Sequence, residues 1–293
     1  MVGAGTGHSA FGGGVVEGMS DSEHRAVVPN SAVLDLRAYT SARVALDSTG
    51  ISVATRHALE FSQAHAQARD AVHSALALPS LLAALRERGL TAIAVKSAVR
   101  DRIEYLRRPD LGRTLAPASA SRLAESGNEM RQPGTSISII LADGLSAVAV
   151  ERHAVSLLDA LLPLLGLGRE SSSAASASWT VLPVIVAEQA RVALGDEIGA
   201  ALRAEVSVML IGERPGLSSP ASLGAYITWG PRPGRTDAER NCVSNIRMEG
   251  LDYGTAAAKI AWVLTEARRL RLSGVQLRES WELPLGVTSL PYP

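Results

Sequence analysis

Three short apolar runs rich in β-branched residues, at positions 137–142, 180–187 and 206–211, alternate with stretches whose apolar residues recur at helical spacing. Runs of this length are too short for buried helices, and their near-continuous apolar character suits strands covered on both faces. Helices must then lie between them, at 148–165 and 189–204, and the pattern predicts a parallel sheet sandwiched by helices. No other feature of the chain narrows its fold so far.

The class that follows is α/β, a Rossmann-like parallel-sheet domain preceded by a smaller helical domain. In the amino-terminal half, Ala58, Phe61, Ala64, Ala68, Val72 and Leu76, and then Val95, Val99, Ile103 and Leu106, recur three or four residues apart. That spacing predicts amphipathic helices, one of them over 92–106, and residues 40–115 read as largely helical. Pro109 and Gly112 end the last of these. Residues 1–39 lack apolar periodicity and are expected to be a flexible leader, with neither a secretion-type nor a membrane-spanning pattern. Residues 116–293 form the sheet domain, with Pro183 demoting its strand to an edge or marking a bulge. The last helix runs over 256–272, with Asp252 as N-cap and Gly274 as C-cap, before an irregular tail.

Lys+Arg and Asp+Glu balance at 29 each, so no net field selects nucleic acid or an anionic membrane. A single cysteine, Cys242, excludes an intrachain disulfide and fits a cytoplasmic setting. His57, His65 and His73 recur every eight residues and turn by about 80° from one to the next on a helix, so they share no metal-binding face.

Ligands of parallel α/β sheets bind outside the carboxyl ends of the strands. Three segments there carry candidate chemistry. DGLS from Asp143 either presents backbone N–H groups at a helix start or is a plain turn. In GERPGL, Glu213 and Arg214 either pair with each other or a neighbour, or address a bound polar molecule. PRPGRTDAERNCVSNIRMEG, from Pro231, reads as a long functional loop with Cys242 in its middle.

Three phrases, RVALGDEIGA from Arg191, LIGERPGLSSPASLGAY from Leu210 and TDAERNCVSNIR from Thr236, together resemble the small subunit of ethanolamine ammonia-lyase. The resemblance extends through LADGLS at Leu141, YLRRPDLGRTL at Tyr105, HAQARDAV at His65 and TSARVAL at Thr40. It implies a lyase that converts ethanolamine to acetaldehyde and ammonia with adenosylcobalamin, whose catalytic barrel is a separate large subunit. This chain would bind the cobalamin with its Rossmann-like domain and meet the large subunit with its helical domain. The resemblance places cobalamin contacts on Val192, Glu213 and Cys242, and no catalytic residue or protein ligand to the cobalt on this chain. No DxHxxG motif occurs, so the lower axial base would stay on the metal. Packaging in a bacterial microcompartment is a further expectation, attached to the leader. The competing reading is a stand-alone Rossmann-like binding or scaffold protein for another ligand.

Overall fold

The computed structural model describes residues 39–277 apart from 41, 45, 47, 50, 130–134 and 167–178. The leader through residue 38, the Pro133–Gly134 break and the tail beyond 277 lie outside the described residues. The unit from Leu46 onward holds every element named below.

A two-stranded ribbon, β1 (Ser48–Thr49) and β2 (Ser52–Val53), leads into helices α1 (Thr55–His73) and α2 (Leu78–Glu87). Strand β3 (Ala92–Lys96), helix α3 (Arg102–Arg107) and helix α4 (Pro117–Glu129) follow. The chain continues with β4 (Ser136–Ala142), α5 (Ala147–Leu164), β5 (Thr180–Val181), β6 (Val184–Glu188), α6 (Leu194–Ala201) and β7 (Val206–Gly212). It closes with β8 (Leu223–Trp229), β9 (Asn241–Ile246) and α7 (Tyr253–Leu270). The fold is mixed α/β with a mostly parallel seven-stranded sheet, ordered β3-β6-β4-β7-β8-β9, with β5 paired to β4. The first four strands of that order run parallel, whereas β7–β8 and β8–β9 are antiparallel.

Side chains alternate across the sheet with period two. Ile137, Ile139 and Leu141 of β4 join Val206, Val208 and Leu210 of β7 on one face, against α2, α5 and α7. Ile140, Ala142, Met209 and Ile211 point to the other face, against α4 and α6. Both faces are therefore apolar, and each fully buried Leu, Ile or Val contributes roughly 1.5–3 kcal/mol of transfer free energy.

Four expectations are corrected. Residues 92–106 are not one helix. Ala92–Lys96 pairs in parallel with Val184–Glu188, and only Arg102–Arg107 is helical. A run such as AIAV supports either period, and an available sheet edge decides it. Of the two readings of Pro183, the edge is wrong and the bulge holds: against β4, Ile137 pairs with Val181 but Ile140 with Ile185, a one-residue shift at the proline. Pro183 separates β5 from β6, and β6 is an interior strand between β3 and β4. The long carboxyl-terminal loop is shorter than expected, because Asn241–Ile246 is strand β9 and carries Cys242. The final helix is capped by Arg271 in the left-handed region, φ 55°, and not by Gly274, which opens a short 3-10 turn. Asp252 is the N-cap as expected, its carboxylate accepting from Thr255 N at 3.0 Å.

The ends of β4 and β7 meet at backbone contact. A Cβ on Gly144, at φ +55°, would lie 2.2 Å from the Gly212 carbonyl oxygen, and one on Gly212 would lie 2.0 Å from that of Ser146. Leu145 N donates to Gly212 O at 3.0 Å across this contact. Gly212→Ala should therefore destabilise the chain by about 2–4 kcal/mol, because backbone and not a pliable side chain must move. Chemical denaturation measures it, and a change under about 0.5 kcal/mol would show that the two loops do not pack this way.

Candidate functional site

The loops leaving β4, β6 and β7 surround a cavity of about 440 Å³ lined by Gly144, Arg191, Val192, Glu213, Arg214 and Tyr226, among others. A second cavity of about 670 Å³ adjoins it and shares Arg191, Val192 and Tyr226. Its remaining walls come from the 3-10 turn after Pro109, the first turn of α6 and the 233–240 segment.

Placement of the loop after β6 starts with Asp143, a buried carboxylate at the end of β4. It accepts from Gln189 N at 2.9 Å and Ala190 N at 3.1 Å, and lies 3.4 Å from Arg102 Nη1. Burial outweighs these three favourable contacts and pushes its pKa up to about 6. The DGLS turn therefore anchors a neighbouring loop through its side chain, while Ser146 Oγ caps α5 by accepting from Ala149 N at 3.3 Å. Tyr105 stands beneath this loop, fully buried, and donates to Ala190 O at 3.0 Å. The guanidinium groups of Arg102 and Arg191 lie over its ring at 4.6 and 4.2 Å from the centroid.

Of the candidates taken from three separate stretches of sequence, Val192 and Glu213 line the first cavity, whereas Cys242 lines neither cavity and reaches them only through its strand neighbour Tyr226. Val192 is half-buried in the turn before α6 and lines both cavities. Glu213 leaves the end of β7, where its Oε2 accepts from Ser222 Oγ at 2.7 Å and from Asn245 N at 3.2 Å. These partners, and not Arg214, orient the carboxylate. Its other oxygen needs the space left by Gly224, where a Cβ would lie 3.0 Å from Oε1. Cys242 is opposite Tyr226 in the β8–β9 register, half-buried, with its Sγ 3.1 Å from Ser244 Oγ. Tyr226 thus joins Cys242 to the cavity wall, and burial first, then the nearby thiol, raises its pKa.

Sequence reasoning did not single out Arg191, Tyr226 or the pair Asp196–Arg240, although all four stand in the quoted phrases. Asp196 and Arg240 form an ion pair under the second cavity, with side chains only 2% and 3% exposed. Burial raises the Asp196 pKa and the arginine opposes that shift. The pair ties the first turn of α6 to the entry of β9. Asp196 stands beside Glu197 in an otherwise apolar stretch and Arg240 is one of several charged residues in TDAERN, so neither was marked out in the sequence.

The profile of the ethanolamine ammonia-lyase light chain family matches residues 30–278. The chain belongs to that family. It is 52% identical to the ethanolamine ammonia-lyase small subunit of Bradyrhizobium diazoefficiens over 252 residues, covering 86% of this chain and 92% of the relative. Identity to the small subunits of Pseudomonas aeruginosa (strain PAO1) and Azotobacter vinelandii is 49% and 50%, each over 85% of this chain and 88% of the relative. The light-chain match takes in every candidate residue named above. Among the described residues no helix is long and apolar enough to cross a membrane. No group of three or more His, Cys, Asp and Glu side chains among them is placed to hold a metal ion.

A carboxyl with a raised folded pKa contributes stability below its unfolded value and loses it as pH rises through the folded value. For Asp143 that window runs from 3.8 to about 6. Its contribution should decline by at most about 3 kcal/mol across it. Asp143→Asn, which cannot ionise, should be less stable at pH 4 and show a flatter profile from pH 4 to 7. Denaturant midpoints at several pH values measure this, and an unchanged slope in the variant would assign the pH dependence to other groups.

Proposed function

We propose that this chain is the cofactor-holding small subunit of an adenosylcobalamin-dependent ethanolamine ammonia-lyase. The observation that carries this reading is the convergence of Val192, Glu213 and the Tyr226–Cys242 pair at the carboxyl ends of the parallel strands. We read the helix-flanked sheet as Rossmann-like, the layout in which that edge receives ligands.

The residues present fit a corrinoid. Its rim carries amides, which need acceptors, and its ring and methyl groups need apolar surface. Glu213 is held by Ser222 and Asn245 through Oε2, which leaves Oε1 to accept an amide N–H. Val192 supplies apolar contact, and the small Cys242 thiol allows close approach beside the Tyr226 ring. When bound, adenosylcobalamin supplies the radical by homolysis of its cobalt–carbon bond. The work of this chain is to orient the corrin rim, exclude water from one side of it and keep donors and acceptors paired there.

The substrate-binding and proton-transferring groups belong, on this reading, to a large catalytic chain. Helix α1 exposes Phe61 at 48% and Leu59 at 65%, and we assign that surface to large-chain contact. Relatives named as small subunits support such an assembly. We place the enzyme in the cytoplasm or in a bacterial microcompartment.

Glu213→Gln keeps side-chain volume and removes charge. In the complex with the large chain it should weaken cobalamin binding about ten- to a hundredfold, equivalent to roughly 1–3 kcal/mol, with assembly intact. Acetaldehyde release should need both chains. Spectroscopic cobalamin titration and melting temperature together decide it: unchanged affinity with a lowered melting temperature would make Glu213 a structural clamp for Ser222 and Asn245 alone.

A further inference from the structure

Arg191 is a cation held in place with no carboxylate at ion-pair distance among the described residues. Its backbone N donates to Gly112 O at 2.8 Å, and a Cβ on Gly112 would lie 2.9 Å from the Arg191 Cγ, so the stem is closely confined. The guanidinium rests on the Tyr105 ring, and Nη2 donates to the Tyr105 carbonyl at 3.1 Å. Nε is buried and has no acceptor. Arg102, over the same ring, has Asp143 beside it at 3.4 Å, and among the described residues Arg191 has no such carboxylate.

The acids that share its cavities are engaged elsewhere. Asp196 and Asp237 both pair with Arg240, Glu197 accepts from Leu115 N at 2.7 Å, and Glu213 accepts from Ser222 and Asn245. An oriented guanidinium in partly desolvated surroundings gains further from an anion that completes its donors, and its planar fork suits a phosphate or carboxylate. Arg191 also lines both cavities, so an anion there would sit at their junction.

We infer that Arg191 is an anion-binding residue for the ligand of this site, and that the anion is the phosphodiester in the nucleotide tail of the corrinoid. The inference rests on the cofactor reading above and adds a division within it. The rim of the corrin meets Glu213 on one side of Arg191, and the tail extends from the phosphate toward the second cavity.

The test compares cyanocobalamin with dicyanocobinamide, a corrinoid that lacks the nucleotide and its bridging phosphodiester, on the complex with the large chain. Arg191→Gln should weaken cyanocobalamin binding about ten- to a hundredfold and cobinamide binding by less than about threefold. Arg191→Lys, which keeps the charge and loses the fork, should fall between wild type and Arg191→Gln, with melting temperatures read alongside. Equal losses on both corrinoids, or none on either, would overturn the phosphate assignment and leave the cofactor reading standing. A variant that no longer assembles with the large chain in the absence of corrinoid would also overturn it, because the anion would then be a carboxylate of the partner. Wild-type protein that binds neither corrinoid would remove the cofactor reading and this one with it.

Discussion

The buried Asp143 carboxylate is the contact on which the rest of the site depends. It sits where β4 ends and takes the N–H groups of Gln189 and Ala190 from the loop after β6, with Arg102 of α3 beside it. Without it the buried Ala190 N–H would go unsatisfied, at a cost of about 1–3 kcal/mol, and the partly buried Gln189 N–H would lose its acceptor. Through this one side chain the loop that carries Arg191 and Val192 is fixed to the neighbouring strand. Tyr105 completes the support by donating to Ala190 O and presenting its ring to two guanidinium groups. The raised pKa of Asp143 is the energetic trace of placing a charge where the loop needs an acceptor.

Beyond β7 the sheet changes direction, and that change shapes the rest of the cavity wall. The antiparallel pair β8 and β9 brings Ser222, Tyr226, Cys242 and Asn245 up to the end of β7. Glu213 is gripped there by a hydroxyl and a backbone N–H, so its conformation is set before any ligand arrives. Preorganisation of this kind lowers the entropy lost on binding. The Asp196–Arg240 pair acts similarly for the second cavity. Both side chains are almost fully buried, so removing either would strand the other in a costly environment.

The parallel part of the sheet was legible because buried strands such as SISIILA and VSVMLIG leave few other options. The stretch at 92–106 was not, since a run of Ala, Ile and Val satisfies helical or strand period until a sheet edge is present to receive it. Strands β8 and β9 went unread for a different reason. Cys242 lies among arginine, asparagine and serine, and Ser244 and Asn245 of β9 are exposed, so the pattern resembles a loop until pairing with Tyr226 is known. Val192 and Glu213 were placed from family-like phrases, and the structure brings both to one cavity. Arg191 was hidden because its significance lies in what surrounds it: an aromatic face, a carbonyl and, among the described residues, no carboxylate, none adjacent in sequence.

The central claim is that one end of this sheet, at Val192, Glu213 and the Tyr226–Cys242 pair, receives a corrinoid. A structure of the complex with the large chain, prepared with cyanocobalamin, tests it most directly. The claim predicts the corrin rim within hydrogen-bonding distance of Glu213 and in van der Waals contact with Val192 and Cys242. A corrinoid bound wholly by the large chain, or seated away from the carboxyl ends of β6 and β7, would contradict it.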